Sequence, residues 1–144
     1  MQNNLDLDKI SLKMKYIREC LSKLEQLKKL IYQDFIADFR NITSCKYLLQ
    51  TSIEAIIDIC NHIVSRKKLG KPSSYSDTIK ILLENSYIST NLAEKLIRMV
   101  KFRNRIVHLY LEVDNQTLYE ILQNNLGDFE LFWNEISSKI FNEE

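Results

Sequence analysis

Leu48-Leu49-Gln50-Thr51-Ser52-Ile53-Glu54-Ala55-Ile56-Ile57-Asp58-Ile59-Cys60-Asn61-His62-Ile63-Val64 is the stretch whose reading decides the fold. Leu48, Leu49, Ile53, Ile56, Ile57, Cys60 and Val64 recur at the three- and four-residue steps of one helical face. That face is wider than a surface helix needs. A helix from about residue 38 to residue 68 is therefore expected at the centre of a bundle. Towards the N-terminus, Ile10, Met14, Ile17, Leu21, Leu24, Leu27 and Ile31 mark a first helix over about 8–31, with lysines and glutamates on its other side. A break is expected within 32–36, although neither Gly nor Pro marks it.

Towards the C-terminus, Gly70-Lys71-Pro72-Ser73-Ser74 reads as a loop. Gly70 suits a helix end, and Pro72 has no N–H with which to continue a helix. Ser74, with Asp77 three residues on, starts a short helix through Leu83, and a turn follows at Asn85-Ser86. A further helix starts near Ser89 to Asn91 and runs towards Tyr110. Asp114 caps the last one, which extends to about Phe141 and buries Leu118, Leu122, Phe129, Phe132, Trp133, Ile136 and Ile140. Two glycines and one proline in 144 residues suit long helices rather than tight turns. The expected architecture is all-α: a single domain over 1–144, an antiparallel up-and-down bundle of four main helices plus a short one.

Lys and Arg number 20 against 19 Asp and Glu, a net charge of +1. A general electrostatic grip on nucleic acid is not expected from that balance; if RNA is the substrate, either recognition is local or a partner brings charge. Cys20, Cys45 and Cys60 are odd in number and lack C-x-x-C or Cys/His ligand spacing. They read as reduced interior residues of a cytoplasmic protein, with no metal and no cofactor called for. The start, Met-Gln-Asn-Asn-Leu-Asp, has no signal-peptide pattern, and no apolar run is long enough to span a bilayer.

The chemistry concentrates in Phe102-Arg103-Asn104-Arg105-Ile106-Val107-His108-Leu109-Tyr110. Arginine is always charged and holds anions, and histidine moves protons near neutral pH. Met99, Phe102, Ile106, Leu109 and Val113 form the core stripe, with Arg103 and Tyr110 at its edge. Arg103 and His108 lie five residues apart, about 140° around an ideal helix, so they are not direct neighbours. Either the helix loosens near its end, or a second copy of the chain supplies the opposite wall. The arc of Arg103, Val107, Asn104 and His108 mixes polar and apolar groups and suits an interface.

Arg103-x4-His108-x-Tyr110 resembles the signature of the HEPN superfamily (higher eukaryotes and prokaryotes nucleotide-binding domains). More narrowly, it is similar to that of the HepT-type toxins of bacterial and archaeal toxin–antitoxin pairs. Gln50-x3-Glu54-Ala55-x2-Asp58-Ile59 resembles the family's second helix, and Pro72-Ser73-Ser74-Tyr75 with Ile79 and Leu82 its central loop and short helix. Leu109 stands where the family often has glycine. The resemblance implies a homodimer whose motifs meet at the interface and a metal-independent endoribonuclease acting on tRNA or mRNA. Arg103 and His108 are then catalytic, with Asn104 and Tyr110 in support. It also implies a cognate minimal nucleotidyltransferase antitoxin, as in a type VII-like system, that adds AMP to Tyr110.

Each of these residues also has a plainer reading. Arg103 could be an ion-pair residue, His108 a hydrogen-bonded histidine, and Tyr110 an edge residue with a wet hydroxyl. Asn104 could orient His108 or cap a backbone group, and both readings stand. Arg105 is expected to be solvated. Arg66-Lys67-Lys68 complements a helix dipole, and RNA contact there is the alternative. Glu54 and Asp58, at an i, i+4 spacing that could suggest metal ligands, are read instead as polar groups paired inside the bundle or at a dimer interface, and His62 as structural. The rival functions are a non-catalytic HEPN module that binds a nucleotide or a protein, and a purely structural helical adaptor.

Overall fold

The computed structural model describes residues 5–108 and 113–142. These residues form seven helices and no strand: α1 Leu7–Lys28, α2 Tyr32–Ala37, α3 Phe39–Arg66, α4 Tyr75–Glu84, α5 Thr90–Val107, α6 Asn115–Asn124 and α7 Gly127–Phe141. The fold is the expected all-α bundle, with α3 at its centre. α3 packs against α1, α2, α4, α5 and α6. All seven apolar residues expected on its face are buried, together with Ser52, Ala55, Ile59 and Ile63. The buried Ser52 hydroxyl donates to the Leu49 carbonyl, so the helix satisfies its own interior polar group.

The helix starts follow the side chains that cap them. The Asp6, Ser74, Ser89 and Asp114 side chains accept from the N–H groups of Lys9, Asp77, Leu92 and Thr117 respectively. The short bond from Thr117 holds the Asp114 carboxyl below the usual carboxylate range.

Three boundaries differ from the sequence reading. Residues 32–36 are not a break but part of α2, and the chain turns instead at residues 29–31 and at Asp38. Ile31 lies outside α1 and is exposed, whereas Phe35 is the residue that α2 buries. α6 explains the shift, because it takes up the end of α1. Tyr119 Oη donates to the Leu30 carbonyl at 2.6 Å and Gln123 Nε2 to the Lys28 carbonyl at 2.9 Å. The rings of Tyr32 and Phe35 then pack on Tyr119.

The last helix is divided at residues 125–126 into α6 and α7. Its apolar spacing runs through the bend, since Leu122, Leu126 and Phe129 are all buried, and so the pattern reads as one element. The third difference is at the end of α3. The left-handed residue that closes it is Lys68, at φ 54°, not Gly70. The Leu69 N–H reaches the Val64 carbonyl and the Lys68 N–H the Ser65 carbonyl, which terminates the helix. Gly70 serves packing instead: a Cβ there would stand 3.1 Å from Ile81 Cδ1.

Cys20, Cys45 and Cys60 are buried, unbridged thiols. Burial pushes the thiols of Cys45 and Cys60 up to about 12, so neither carries thiolate near neutral pH. Among the described residues no helix is long and apolar enough to cross a membrane.

Candidate active site

α5 is anchored deep in the bundle by Leu92, Leu96 and Val100, with Phe102 buried at the start of the motif. Arg103 follows, at the point where α5 passes α3 and the start of α4. Its Nε and Nη2 donate to Glu54 Oε2 at 3.0 and 2.8 Å, and its Nη1 donates to Asn104 Oδ1 at 3.2 Å. The Tyr75 ring centroid lies 5.5 Å from the guanidinium carbon. The Arg103 side chain is 20% exposed and that of Glu54 34%. Three helices therefore fix one cation: α3 by charge, α4 by a ring face and α5 by the neighbouring amide.

The bonds to Glu54 and Asn104 occupy three of the five N–H groups that a guanidinium carries. Among the described residues no acceptor takes the other two, which leaves them for an anion. Arginine is suited to such a division, because its planar fork binds one carboxylate side-on and presents the rest elsewhere.

His108 sits where α5 stops. Its N–H donates to the Asn104 carbonyl at 3.0 Å, and its own backbone, at φ −86° and ψ 100°, has left the helix. The loosening at the helix end thus begins only after His108, which keeps its i, i−4 bond to Asn104, so both routes by which Arg103 and His108 could be brought together stay open. His108 is exposed, as is Val107 beside it. Asn104 turns out to serve both neighbours by different atoms: its side chain holds Arg103, and its backbone carbonyl closes the turn at His108. Tyr110 and Leu109 lie outside the described residues.

Glu54 is paired inside the bundle, as expected, but that its partner is Arg103 was not read from sequence. Glu54 and Asp58 share an i, i+4 spacing that suggests a common role, but they face different neighbours. Asp58 pairs with Lys13 of α1 at 3.0 Å, while Glu54 turns to α5. His62 is structural: its Nε2 accepts the Asp6 N–H at 3.0 Å, next to the start of α1. Arg105 is exposed, and its charge helps to lower the Asp114 carboxyl pKa. Among the described residues no group of three or more His, Cys, Asp or Glu gathers to hold a metal ion.

Tyr47, Thr51, Glu54 and Asp58 line one stripe of α3, between α1 and the arginine site. Apolar groups stand open along it. Tyr47 is 60% exposed, and Leu12 of α1 is 66% exposed beside a shallow groove that also takes in Tyr16, Thr51 and Glu54.

A family model described as Ribonuclease HepT-like matches residues 17–136. The chain is 35% identical to an mRNA nuclease HepT of Shewanella oneidensis over 140 residues, covering 95% of this chain and 99% of that one. It is 26% identical to a tRNA nuclease HepT of Aphanizomenon flos-aquae over 129 residues, 90% and 88% of the two chains. Among solved structures, the tri-AMPylated Shewanella oneidensis HEPN toxin in complex with an MNT antitoxin matches with a TM-score of 0.85 at 34% identity. That match covers 91% of this chain and 98% of the other.

Proposed function

Since the chain belongs to the Ribonuclease HepT-like family, we propose that it is the toxin of a toxin–antitoxin pair, a metal-independent endoribonuclease with Arg103 and His108 at its active site. The observation that carries this reading is the held guanidinium of Arg103, fixed from three helices and one turn away from an exposed His108. A charge clamp that is fixed before substrate arrives needs no reorganisation as the reaction proceeds.

In the proposed step, a His108 imidazole nitrogen takes the proton from a ribose 2′-hydroxyl. The 2′-oxygen attacks the adjacent phosphorus, and the bond from phosphorus to the 5′-oxygen breaks. The products are a 2′,3′-cyclic phosphate and a 5′-hydroxyl, whose proton comes from a second histidine or from water. Arg103 stabilises the charge that builds on the non-bridging oxygens. Either tRNA or mRNA fits this chemistry, and DNA does not, because it lacks the 2′-hydroxyl.

The active form in this reading is a homodimer. Its support is the exposed apolar stripe of Tyr47 and Leu12 beside the Arg103 site and the exposed Val107–His108 end of α5. A second subunit covering that stripe would complete the wall of the site and exclude water from it.

Control is assigned to a partner nucleotidyltransferase that adds AMP to Tyr110, as the tri-AMPylated relative suggests. Added phosphates compete with RNA for the guanidinium. One experiment tests the whole reading: purified chain is incubated with the partner enzyme and ATP, then assayed on RNA and by mass spectrometry. Cleavage should fall as AMP accumulates on Tyr110, and Tyr110→Phe should take up none. If the partner silences wild type and Tyr110→Phe equally, with no covalent change, control is by simple binding and the role given to Tyr110 is wrong.

The ion pair of Arg103 with Glu54 is also what a purely structural adaptor would contain. That reading is separated by the same assay, since an adaptor cuts no RNA.

A further inference from the structure

A groove of about 850 Å³ lies where the end of α3 meets the α3–α4 loop and the first turn of α4. Its wall includes Ser65, Lys68, Lys71, Ser73, Ser74 and Tyr75, and no carboxylate lines it. Asp77, the acid of the adjoining turn, accepts the backbone N–H and the hydroxyl of Ser73. In a chain whose net charge is only +1, a concavity with two lysines, several hydroxyls and no acid is a local positive site. The dipole of α3 accounts for basic residues within its last turn, but Lys71 lies beyond that turn, on the loop. Lys68 moreover occupies a left-handed position, at φ 54°, where glycine is the low-cost residue. The groove is continuous with the arginine site through one side chain: Tyr75 lines it and also carries the Arg103 guanidinium 5.5 Å from its ring centroid.

We propose that this groove binds the single-stranded RNA that flanks the scissile phosphate. Lys68 and Lys71 take backbone phosphates, and the exposed Tyr75 ring offers a stacking surface for a base, a combination general to single-strand binding. The inference rests on the ribonuclease reading and adds to it the path of the strand. It also explains how a chain with little net charge holds RNA: the charge is concentrated beside the clamp rather than spread over the surface.

The test uses a labelled single-stranded RNA of about ten nucleotides, 2′-O-methylated throughout so that it cannot be cut, and reads anisotropy over a salt series. Wild type should bind. Lys68→Gln/Lys71→Gln should bind roughly tenfold more weakly at low salt, and its slope of log affinity against log salt should shrink by about 1.4, two phosphate contacts at about 0.7 each. The double variant should keep wild-type helicity by circular dichroism and cut a dinucleotide, too short to reach the groove, at the wild-type rate. Undiminished binding with an unchanged slope overturns the groove assignment, as does equal loss on the dinucleotide. Loss of partner-protein binding with RNA binding intact also overturns it, and makes the groove a protein-docking site. Should wild type neither bind nor cut RNA, it is the ribonuclease reading that falls.

Discussion

At the residue scale the decisive contact joins Glu54 to Arg103 across 49 positions of sequence. Arg103 and His108 stood out as candidates in the sequence through the family resemblance of the segment that carries them. Glu54 was not, because its partner is set by which way α3 faces α5, and no local pattern encodes that. In the proposed mechanism the guanidinium is divided between Glu54 and an incoming phosphate, which gives Glu54 the part of a positioning residue. Glu54→Gln keeps an acceptor but removes the charge that orients the fork, and Glu54→Asp keeps the charge on a shorter arm. Turnover in Glu54→Gln should fall ten- to a hundredfold, the scale of a small misplacement of a reacting group. KM should change little and Glu54→Asp should restore part of the rate. A variant with lowered thermal stability but full turnover would assign Glu54 to the fold alone.

At the element scale the caps, the 70–74 loop and the turn at Asn85-Ser86 were readable, and the bends at residues 29–31 and 125–126, where neither Gly nor Pro stands, were not. Ser74, Ser89 and Asp114 announce helix starts by their own hydrogen-bonding chemistry. The division of the last helix at residues 125–126 stayed hidden because buried side chains keep helical spacing across it. α5 was read as running towards Tyr110, which lies outside the described residues; among those described it closes at Val107, with His108 at ψ 100° already out of the helix. The start of α1 carries a pH dependence. His62 Nε2 must be unprotonated to accept the Asp6 N–H. Burial first, and then the charges of Arg66 and Lys9, hold the His62 pKa below its ordinary 6.5. A lowered folded pKa means that the unfolded chain binds the proton more readily. The stabilisation is therefore complete above about pH 6.5 and is lost as pH falls through the folded value. Melting temperature should drop between pH 7 and pH 5, with exchange at the start of α1 speeding up first, and His62→Gln should flatten that part of the profile. An identical pH profile in His62→Gln would remove His62 from the account.

At the scale of the whole molecule the central helix was the part most plainly written, because a helix buried nearly all round needs an apolar face wider than any surface helix. What composition could not foresee was where charge gathers, since near-neutrality overall says nothing of local arrangement. Assembly belongs to this scale too. The exposed Leu12 and Tyr47 flank the stripe that leads to Arg103, so sedimentation at micromolar concentration should give about twice the 17.1 kDa monomer mass. Leu12→Lys with Tyr47→Lys should shift the protein towards monomer and lose cleavage with it; a monomeric variant that retains full activity would contradict the composite site.

The ribonuclease reading depends most directly on cleavage of a defined RNA in excess chelator, with the product ends read by mass. Wild type should release a 2′,3′-cyclic phosphate and a 5′-hydroxyl at an undiminished rate. Arg103→Ala and His108→Ala, each folded by circular dichroism, should be slowed on the order of a hundredfold or more. Wild-type activity that vanishes with the chelator, or a full rate in His108→Ala, would contradict it.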